Sequence, residues 1–218
     1  MMKNKFTALL LSLLLLASCT LAVAADTSSL RPPKGAKVAI IVFEDVQCPD
    51  CARAEPLLQE AVKTYKIPLI RHDFPLPMHN WSFEAHVMAR YFDIKSKALG
   101  EEFRSFLLEN QRSVTPLNLR GIADRWAAEH KTTLPFVYDP KGELAAKVKA
   151  DFALGQRVGV EHTPTIYVVS NTQRGTPFVE VVDRSQLFQL IDKMLREAAP
   201  VATKATKPAR STKTTAKP

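Results

Sequence analysis

Cysteine is scarce in this chain of 218 residues, which contains only Cys19, Cys48 and Cys51. A closed structural zinc site normally takes four ligands, and the sequence has no second C-x-x-C motif to supply them. Four of the five histidines, all except His162, show no spacing that suggests a set of metal ligands. The scarcity argues against structural zinc and directs attention to the one close cysteine pair.

A surplus of positive charge is absent from the body of the chain. The net charge is +8, but residues 1–25 and 200–218 carry seven of the 30 basic residues and no acidic residue. This leaves 23 basic residues against 22 acidic ones between positions 26 and 199. A nearly neutral body is not typical of a nucleic-acid-binding protein, so we predict no nucleic-acid partner.

The chain has no apolar run long enough to be read as a membrane span, and its longest one, Ala8–Ala17, is typical of a secretory signal. Lys3 and Lys5 precede the run, and Ala22-Val23-Ala24 offers a small-residue cleavage site, so residues 1–25 are predicted to be a signal peptide. In a competing interpretation, Leu16-Ala17-Ser18-Cys19 resembles a bacterial lipobox, which would leave the protein lipid-anchored through Cys19. Both predict a periplasmic or otherwise extracytoplasmic location, where disulfides persist.

Two further segments are poor in large apolar residues. Residues 26–36 are polar and contain prolines, which predicts a linker. Residues 200–218 are basic and of low complexity, which predicts a disordered tail. The tail either makes the protein more soluble or attaches it weakly to anionic components of the cell envelope.

The pair Cys48-Pro49-Asp50-Cys51 lies between an apolar strand, Val38–Phe43, and a helix predicted over residues 49–65. At the start of a helix, one sulfur of a C-x-x-C motif becomes nucleophilic and the other can close on it. The motif therefore predicts a thiol–disulfide oxidoreductase.

The pattern of elements predicts an α/β protein. A second strand over residues 67–74 gives a βαβ unit, so the first two strands should be parallel. Helices follow, one of them predicted to begin at Thr115 and Pro116. Strands over residues 165–169 and 178–182 and a final amphipathic helix complete the order βαβ, helices, ββα.

This order, with C-P-x-C at the start of the first helix, resembles the DsbA-like branch of the thioredoxin superfamily. The run Phe43-Glu44-Asp45-Val46-Gln47 before the motif, the helical Pro56, the segment Phe74–His79 and Val160-Glu161-His162-Thr163-Pro164-Thr165 carry the resemblance. It implies a thioredoxin-like domain over residues 37–199. A helical insertion of about residues 79–157 would separate the second strand from the strand that follows a cis-proline.

The resemblance and the chemistry of helix ends assign the cysteine roles. Cys48 should lie at the helix N-cap, where free N–H groups and the helix dipole stabilise its thiolate, and should attack the substrate. Cys51, one turn further on and more buried, should resolve the mixed disulfide. Pro49 suits the first helical position. Asp50 should disfavour the nearby thiolate, giving a lower reduction potential than a Cys-Pro-His-Cys variant would have.

The resemblance also implies a second part of the site. Thr163 and Pro164 would form the cis peptide bond beside the cysteines, and the Thr163 backbone would pair with an extended substrate. His162 either modulates the thiolate near neutral pH or faces solvent without a role. Where DsbA and thioredoxin carry a buried acid used in proton transfer, six residues before the first cysteine, this chain has Val42. Glu44 is the candidate substitute.

We therefore expect an enzyme that exchanges disulfides with cysteine-containing exported proteins. It should act as a monomer without an organic cofactor or metal, because the Cys48–Cys51 disulfide is itself the redox unit. A redox partner, expected at the membrane, must recycle it. The alternatives are a reductase or isomerase of particular clients, and a non-enzymatic module that holds copper or zinc with the two thiolates and His162.

Overall fold

The computed structural model describes residues 26–172 and 176–198. The predicted signal peptide with its lipobox at Cys19 and the predicted basic tail from residue 200 lie outside the described residues. Within the described part, none of the helices has the length and apolar character needed to cross a membrane.

The chain forms four strands and six α-helices in these residues, in the order that the sequence predicts. They are β1 (Val38–Glu44), α1 (Pro49–Tyr65), β2 (Leu69–Asp73), α2 (Ser82–Lys95), α3 (Lys97–Asn110), α4 (Leu119–Glu129), α5 (Glu143–Val158), β3 (Thr165–Ser170), β4 (Phe178–Glu180) and α6 (Leu187–Glu197). Short 3-10 turns, Gln111–Ser113 and Arg184–Gln186, follow α3 and precede α6.

The strands form one sheet in the order β2-β1-β3-β4. As predicted from the βαβ unit, β1 and β2 are parallel, and β3 is antiparallel to both β1 and β4. The register places Phe43 of β1 opposite Thr165 of β3. The end of β1, which leads into the cysteine motif, therefore lies beside the start of β3, which follows Pro164.

Strand β1 is buried on both faces, because helices cover both sides of the sheet. Alternate residues Val38, Ile40 and Val42 pack with α1 and α6, while Ala39, Ile41 and Phe43 pack with the end of α5. Gly155 of α5 lies so close to the sheet that an added Cβ would come within 2.5 Å of the Phe74 ring. This close crossing fixes the insertion against the edge of the sheet that carries β2.

Helices α2 to α5 form the predicted insertion, and α2 to α4 enclose a second core around Phe92, Phe103 and Trp126. The prediction that a helix begins at Thr115 and Pro116 is wrong, since α4 begins at Leu119. Thr115 and Asn118 instead hydrogen-bond each other, with the Thr115 N–H donating to Asn118 Oδ1 at 2.7 Å. This local turn uses the polar groups that would otherwise cap a helix.

The segment 26–36, predicted as a linker, packs against the domain. Leu30 is buried in the same core cluster as Phe43 and Phe74. The Asp26 N–H donates to the carbonyl of Arg157 at 3.0 Å, close to the end of α5. The segment therefore covers one edge of the core.

Candidate active site

The turn from β1 into α1 places the two cysteines. Cys48 is the N-cap of α1, with extended backbone angles (φ −75°, ψ 121°), and Pro49 occupies the first helical position, as predicted. Cys51 lies in the first turn and is 2% exposed, against 7% for Cys48. Both are free thiols in this structure. The outer sulfur thus has the more accessible position and the inner one the more protected position.

Hydrogen bonds to its sulfur lower the pKa of Cys48 from 9.0 to about 5. The largest contribution comes from the Cys51 side chain, and burial opposes it. The backbone N–H groups of Cys51 and Asp50 lower the pKa further. These N–H groups are among those that a helix leaves without partners at its start, so the position of Cys48 favours its thiolate directly.

The pKa of Cys51 shifts in the opposite direction. Burial, the donated hydrogen bond to Cys48 and the negative charges of Cys48 and Glu44 raise the pKa of Cys51 well above its ordinary value. The backbone N–H of Asp45, 3.4 Å from the Cys51 sulfur, acts weakly in the other direction. At neutral pH the reduced pair therefore consists of one thiolate and one thiol.

Thr163 and Pro164 face the outer cysteine. Their peptide bond is cis, as the resemblance implies, and the Cys48 sulfur lies 3.4 Å from the Thr163 carbonyl oxygen. Both lie just before β3, whose first residue, Thr165, pairs with Phe43 near the end of β1. Their role in binding a substrate remains a prediction.

His162 is 68% exposed. Its Nε2 lies 3.9 Å from a carboxylate oxygen of Glu180, and its backbone carbonyl accepts from the Thr165 hydroxyl at 2.6 Å. The contacts of its ring are therefore with β4 and β3, and its influence on the thiolate remains a prediction.

Asp50 has two partners, neither of which the sequence analysis identified. Its carboxylate accepts from Arg53 at 2.9 Å and lies 2.5 Å from Arg184. The hydrogen bond from Arg184 is the largest of the effects that lower the pKa of Asp50. Arg53 could have been anticipated from its helical spacing of three residues, whereas Arg184 comes from the far end of the sequence.

Polar side chains hold the loop between β1 and α1. The Gln111 amide donates to the carbonyls of Val46 and Cys48 at 2.8 and 2.9 Å. Asp45 is fully buried and accepts from the Leu76 N–H at 2.6 Å and from the Ser82 hydroxyl at 2.5 Å. The cysteine motif is thus tied to α3 and to the segment after β2.

A buried charged network lies beneath Cys51. Arg71 of β2 is completely buried and binds Glu44 at 2.6 Å, Glu55 at 2.8 Å and Glu101 at 2.6 Å. Glu44 Oε1 is buried and has no hydrogen-bond partner among the described residues. Burial is the largest influence on Glu44 and raises its pKa. The arginine within this predicted strand was the signal of the network in the sequence.

An open groove of about 550 Å³ runs beside the start of α1. Pro49, Ala52 and Arg53 line one side, and Leu108, Gln111 and Arg112 line the other. The described residues contain no group of three or more His, Cys, Asp or Glu side chains that could hold a metal ion.

A protein-family model described as Thioredoxin matches residues 32–193. Similar solved structures include alpha-DsbA1 from Wolbachia pipientis (TM-score 0.60, 18% identity, 76% of this chain and 88% of that chain). The catalytic domain of Proteus mirabilis ScsC gives a TM-score of 0.57 with 18% identity and covers the same shares of the two chains. A periplasmic thioredoxin-like protein from Salmonella enterica serovar Typhimurium gives 0.60 with 18% identity, 75% of this chain and 87% of that chain.

The curated relatives that match this chain are much longer proteins. Na(+)/H(+) antiporter NhaA 1 from Salinispora arenicola is 25% identical over 163 residues, which are 72% of this chain and 24% of the relative. NhaA 3 from Salinispora tropica is 23% identical over 177 residues, with 78% and 26% covered. The chain spans about a quarter of the length of these relatives.

Proposed function

The chain belongs to the thioredoxin family, and we propose that it exchanges disulfides with exported, cysteine-containing proteins through Cys48 and Cys51. The prediction of a member of the thioredoxin superfamily with a thioredoxin-like α/β fold is confirmed. The similarity to DsbA and ScsC structures supports our proposal that the chain is a DsbA-like dithiol–disulfide oxidoreductase. The substrates, the direction of electron flow and the location are our proposals.

The difference between the two cysteines is the observation that carries the proposal. Cys48 has a pKa lowered to about 5, while Cys51 is buried with a raised pKa. A low pKa gives Cys48 a high thiolate fraction and makes it a good leaving group, and both properties speed thiol–disulfide exchange. A purely structural pair needs no such asymmetry.

We propose that the pair acts as an oxidant of client dithiols. A client thiolate attacks Sγ of Cys48 in the disulfide, the Cys48–Cys51 bond breaks, and a mixed disulfide forms. The second client thiolate then attacks the client sulfur of that bond, and Cys48 leaves as a thiolate. The client loses two electrons and gains a disulfide, and the enzyme gains two electrons as one thiol and one thiolate. The stabilised thiolate favours this direction, because it stabilises the reduced enzyme.

Cys51 leaves the disulfide as a thiolate and must take up a proton, because its raised pKa disfavours the charged form. We propose Glu44 as the proton donor and acceptor for this step. Its carboxyl group is buried, influences Cys51 electrostatically and has a raised pKa that suits proton transfer. The free Oε1 atom leaves one oxygen of the carboxyl group available for the proton.

The location and partners follow from the same chemistry. A periplasmic or other extracytoplasmic location supplies clients whose disulfides persist, and the apolar run before Cys19 supports export. The disulfide itself accepts the electrons, so the cycle needs no organic cofactor. A redox partner that removes two electrons must regenerate the oxidised pair.

Trapping tests the proposal directly. In Cys51→Ala, the Cys48 thiolate can still attack a client disulfide, but Cys51 is no longer there to displace the client from the mixed disulfide. We therefore expect this variant to accumulate client proteins when it is expressed with its signal peptide and analysed on non-reducing gels. Cys48→Ala is the matched control and should trap none, since the buried Cys51 is not the attacking sulfur. If Cys51→Ala traps no client while the wild-type protein binds Cu(I) or Zn(II) tightly, the metal-binding alternative replaces the enzyme.

Direction of electron flow needs a second assay. We expect the oxidised protein to introduce disulfides into a reduced, unfolded client faster than the reduced protein cleaves the disulfides of insulin. The opposite order of rates would favour the reductase alternative.

A further inference from the structure

The carboxylate of Asp50 connects the active-site helix to the last part of the described chain. Arg184 lies 2.5 Å from one oxygen of this carboxylate, and Arg53 lies 2.9 Å from the other. Arg184 begins the 3-10 turn before α6, and Asp183 caps this turn by accepting from the Ser185 N–H at 2.9 Å. The arginine is therefore presented to Asp50 by a turn with its own fixed geometry.

The position of Asp50 matters for Cys48 in two ways. Its backbone N–H is one of the donors that stabilise the Cys48 thiolate, so fixing the residue also fixes this donor. Its carboxylate is a negative charge two residues from the thiolate, which on its own would disfavour the thiolate. Two arginines on one carboxylate leave this corner of the site with one net positive charge instead.

We propose that Arg184 is a positioning residue for disulfide exchange: by binding Asp50 across the fold, it holds the first turn of α1 and makes the surroundings of Cys48 favour the thiolate. This inference rests on the proposed function and concerns the strength of the pair as an oxidant. It assigns Arg184 a role that no motif in the sequence indicates.

The influence of Arg184 on the redox equilibrium of the cysteine pair can be measured by exchange with glutathione. Two glutathione thiols become one glutathione disulfide, and their two electrons reduce the Cys48–Cys51 disulfide. Of the two protons released, one binds the Cys51 sulfur and the other goes to solvent, because Cys48 stays a thiolate above its pKa. Any group that favours this thiolate shifts the equilibrium towards the reduced enzyme and makes the oxidised pair a stronger oxidant.

Arg184→Gln is the test variant. We expect it to raise the pKa of Cys48 by about half a unit to one unit, and to shift the glutathione equilibrium about 3- to 10-fold towards the oxidised pair. The pKa is read from the thiolate absorbance at 240 nm during a pH titration. Because the side chains of Arg184 and Asp50 are 33% and 39% exposed, both shifts should shrink in about 1 M salt.

Three further variants separate this role from a general loss of charge or of structure. Arg184→Lys keeps the charge and should retain most of the wild-type values. Arg196→Gln removes the same charge near the other end of α6, about 15 Å along the helix, and should change neither value. In an Asp50→Asn background, Arg184→Gln should cause less than about a third of its shift in the wild type, since the two residues act as a pair.

Unchanged pKa and unchanged glutathione equilibrium in Arg184→Gln would overturn the proposal, as would the full shift in the Asp50→Asn background. Loss of the circular dichroism spectrum in both Arg184 variants would show a structural role and also overturn it. These results leave the proposed function intact, because that function fails only if the wild-type pair does not exchange with glutathione or if Cys51→Ala traps no clients.

Discussion

The stability of the reduced protein should depend on pH more steeply than that of the oxidised protein, because only the reduced protein contains the Cys48 thiolate. Folding lowers the pKa of Cys48 from 9.0 to about 5, chiefly through the hydrogen bond from Cys51. A group whose pKa is lower in the folded state stabilises that state fully above the unfolded value. The stabilisation is lost as the pH falls through the folded value, so the window here runs from about pH 9 to about pH 5.

The size of the effect follows from the two pKa values. Between them, each pH unit changes the free energy of unfolding by about 1.4 kcal/mol. The thiolate should contribute about 4 kcal/mol at pH 8, about 3 at pH 7, about 1 at pH 6 and almost nothing at pH 4. The disulfide stabilises the oxidised form by closing a short loop, but this contribution does not vary with pH. The disulfide therefore raises the free energy of unfolding of the oxidised protein equally at every pH and does not change the slope of that free energy against pH.

Urea unfolding at a series of pH values, followed by circular dichroism, measures this difference. The oxidised and the reduced protein share all titrating groups except the two cysteines, and the Cys51 thiol stays protonated because its pKa is raised. The effects of the shared groups therefore largely cancel when the two free energies of unfolding are subtracted. Reduced Cys48→Ser is the control, and its stability relative to the oxidised wild type should vary little with pH. An equal difference between the reduced and oxidised wild type at pH 8 and pH 5 would contradict the lowered pKa of Cys48.

Three other substitutions test the surroundings of the pair. Glu44→Gln should slow reduction of the oxidised protein by dithiothreitol about tenfold at neutral pH, because the Cys51 sulfur loses its proton donor. The control Glu60→Gln, at an exposed position, should be reduced at the wild-type rate. Equal rates for the two variants would exclude Glu44 from proton transfer. Arg71→Met should lower the free energy of unfolding by about 3–5 kcal/mol, because it leaves buried carboxylates without their partner, and a urea midpoint close to that of the wild type would refute this. Gln111→Ala should cost about 1–2 kcal/mol by removing the hydrogen bonds that its amide donates to two carbonyls of the active-site loop, and amide hydrogen exchange in that loop should increase.

The parts of the site that the sequence predicts depend on short-range geometry. A cysteine directly before a proline, at the point where an apolar strand gives way to a helical pattern, has few places to lie other than the helix N-cap. The N-cap position of Cys48 and the greater burial of Cys51 follow from this arrangement. The cis bond before Pro164 could not be predicted from the local sequence, because a cis X-Pro bond is uncommon. Only the resemblance to a family favoured it.

The charged network could not be predicted in the same way. Arg71 binds Glu44, Glu55 and Glu101, which lie 27, 16 and 30 residues away in the sequence. Each of these residues alone is most simply interpreted as an exposed charge, since a single buried charge is costly. The free-energy cost of burying these charges is offset only when the folded chain brings Arg71 and the three glutamates together. That arrangement depends on the packing of α1 and α3 on β2.

Asp50 shows how such a distant contact changes the interpretation of a motif. From the motif alone, an acid beside Cys48 disfavours the thiolate and predicts a lower reduction potential than that of an Asp50→His variant. In the structure, Arg184 and Arg53 bind this acid and offset its charge. An imidazole in its place would lie between two guanidinium groups, which disfavour its charged form. We therefore expect the reduction potentials of the wild type and Asp50→His to differ by less than the motif predicts.

Arg184→Gln should widen this gap between the two potentials. In the protein with Asp50 it exposes the carboxylate charge, and in the protein with Asp50→His it permits protonation of the imidazole. Equilibration of the four proteins with glutathione measures both gaps, and a gap that narrows would show that Arg184 does not control the charge at this position.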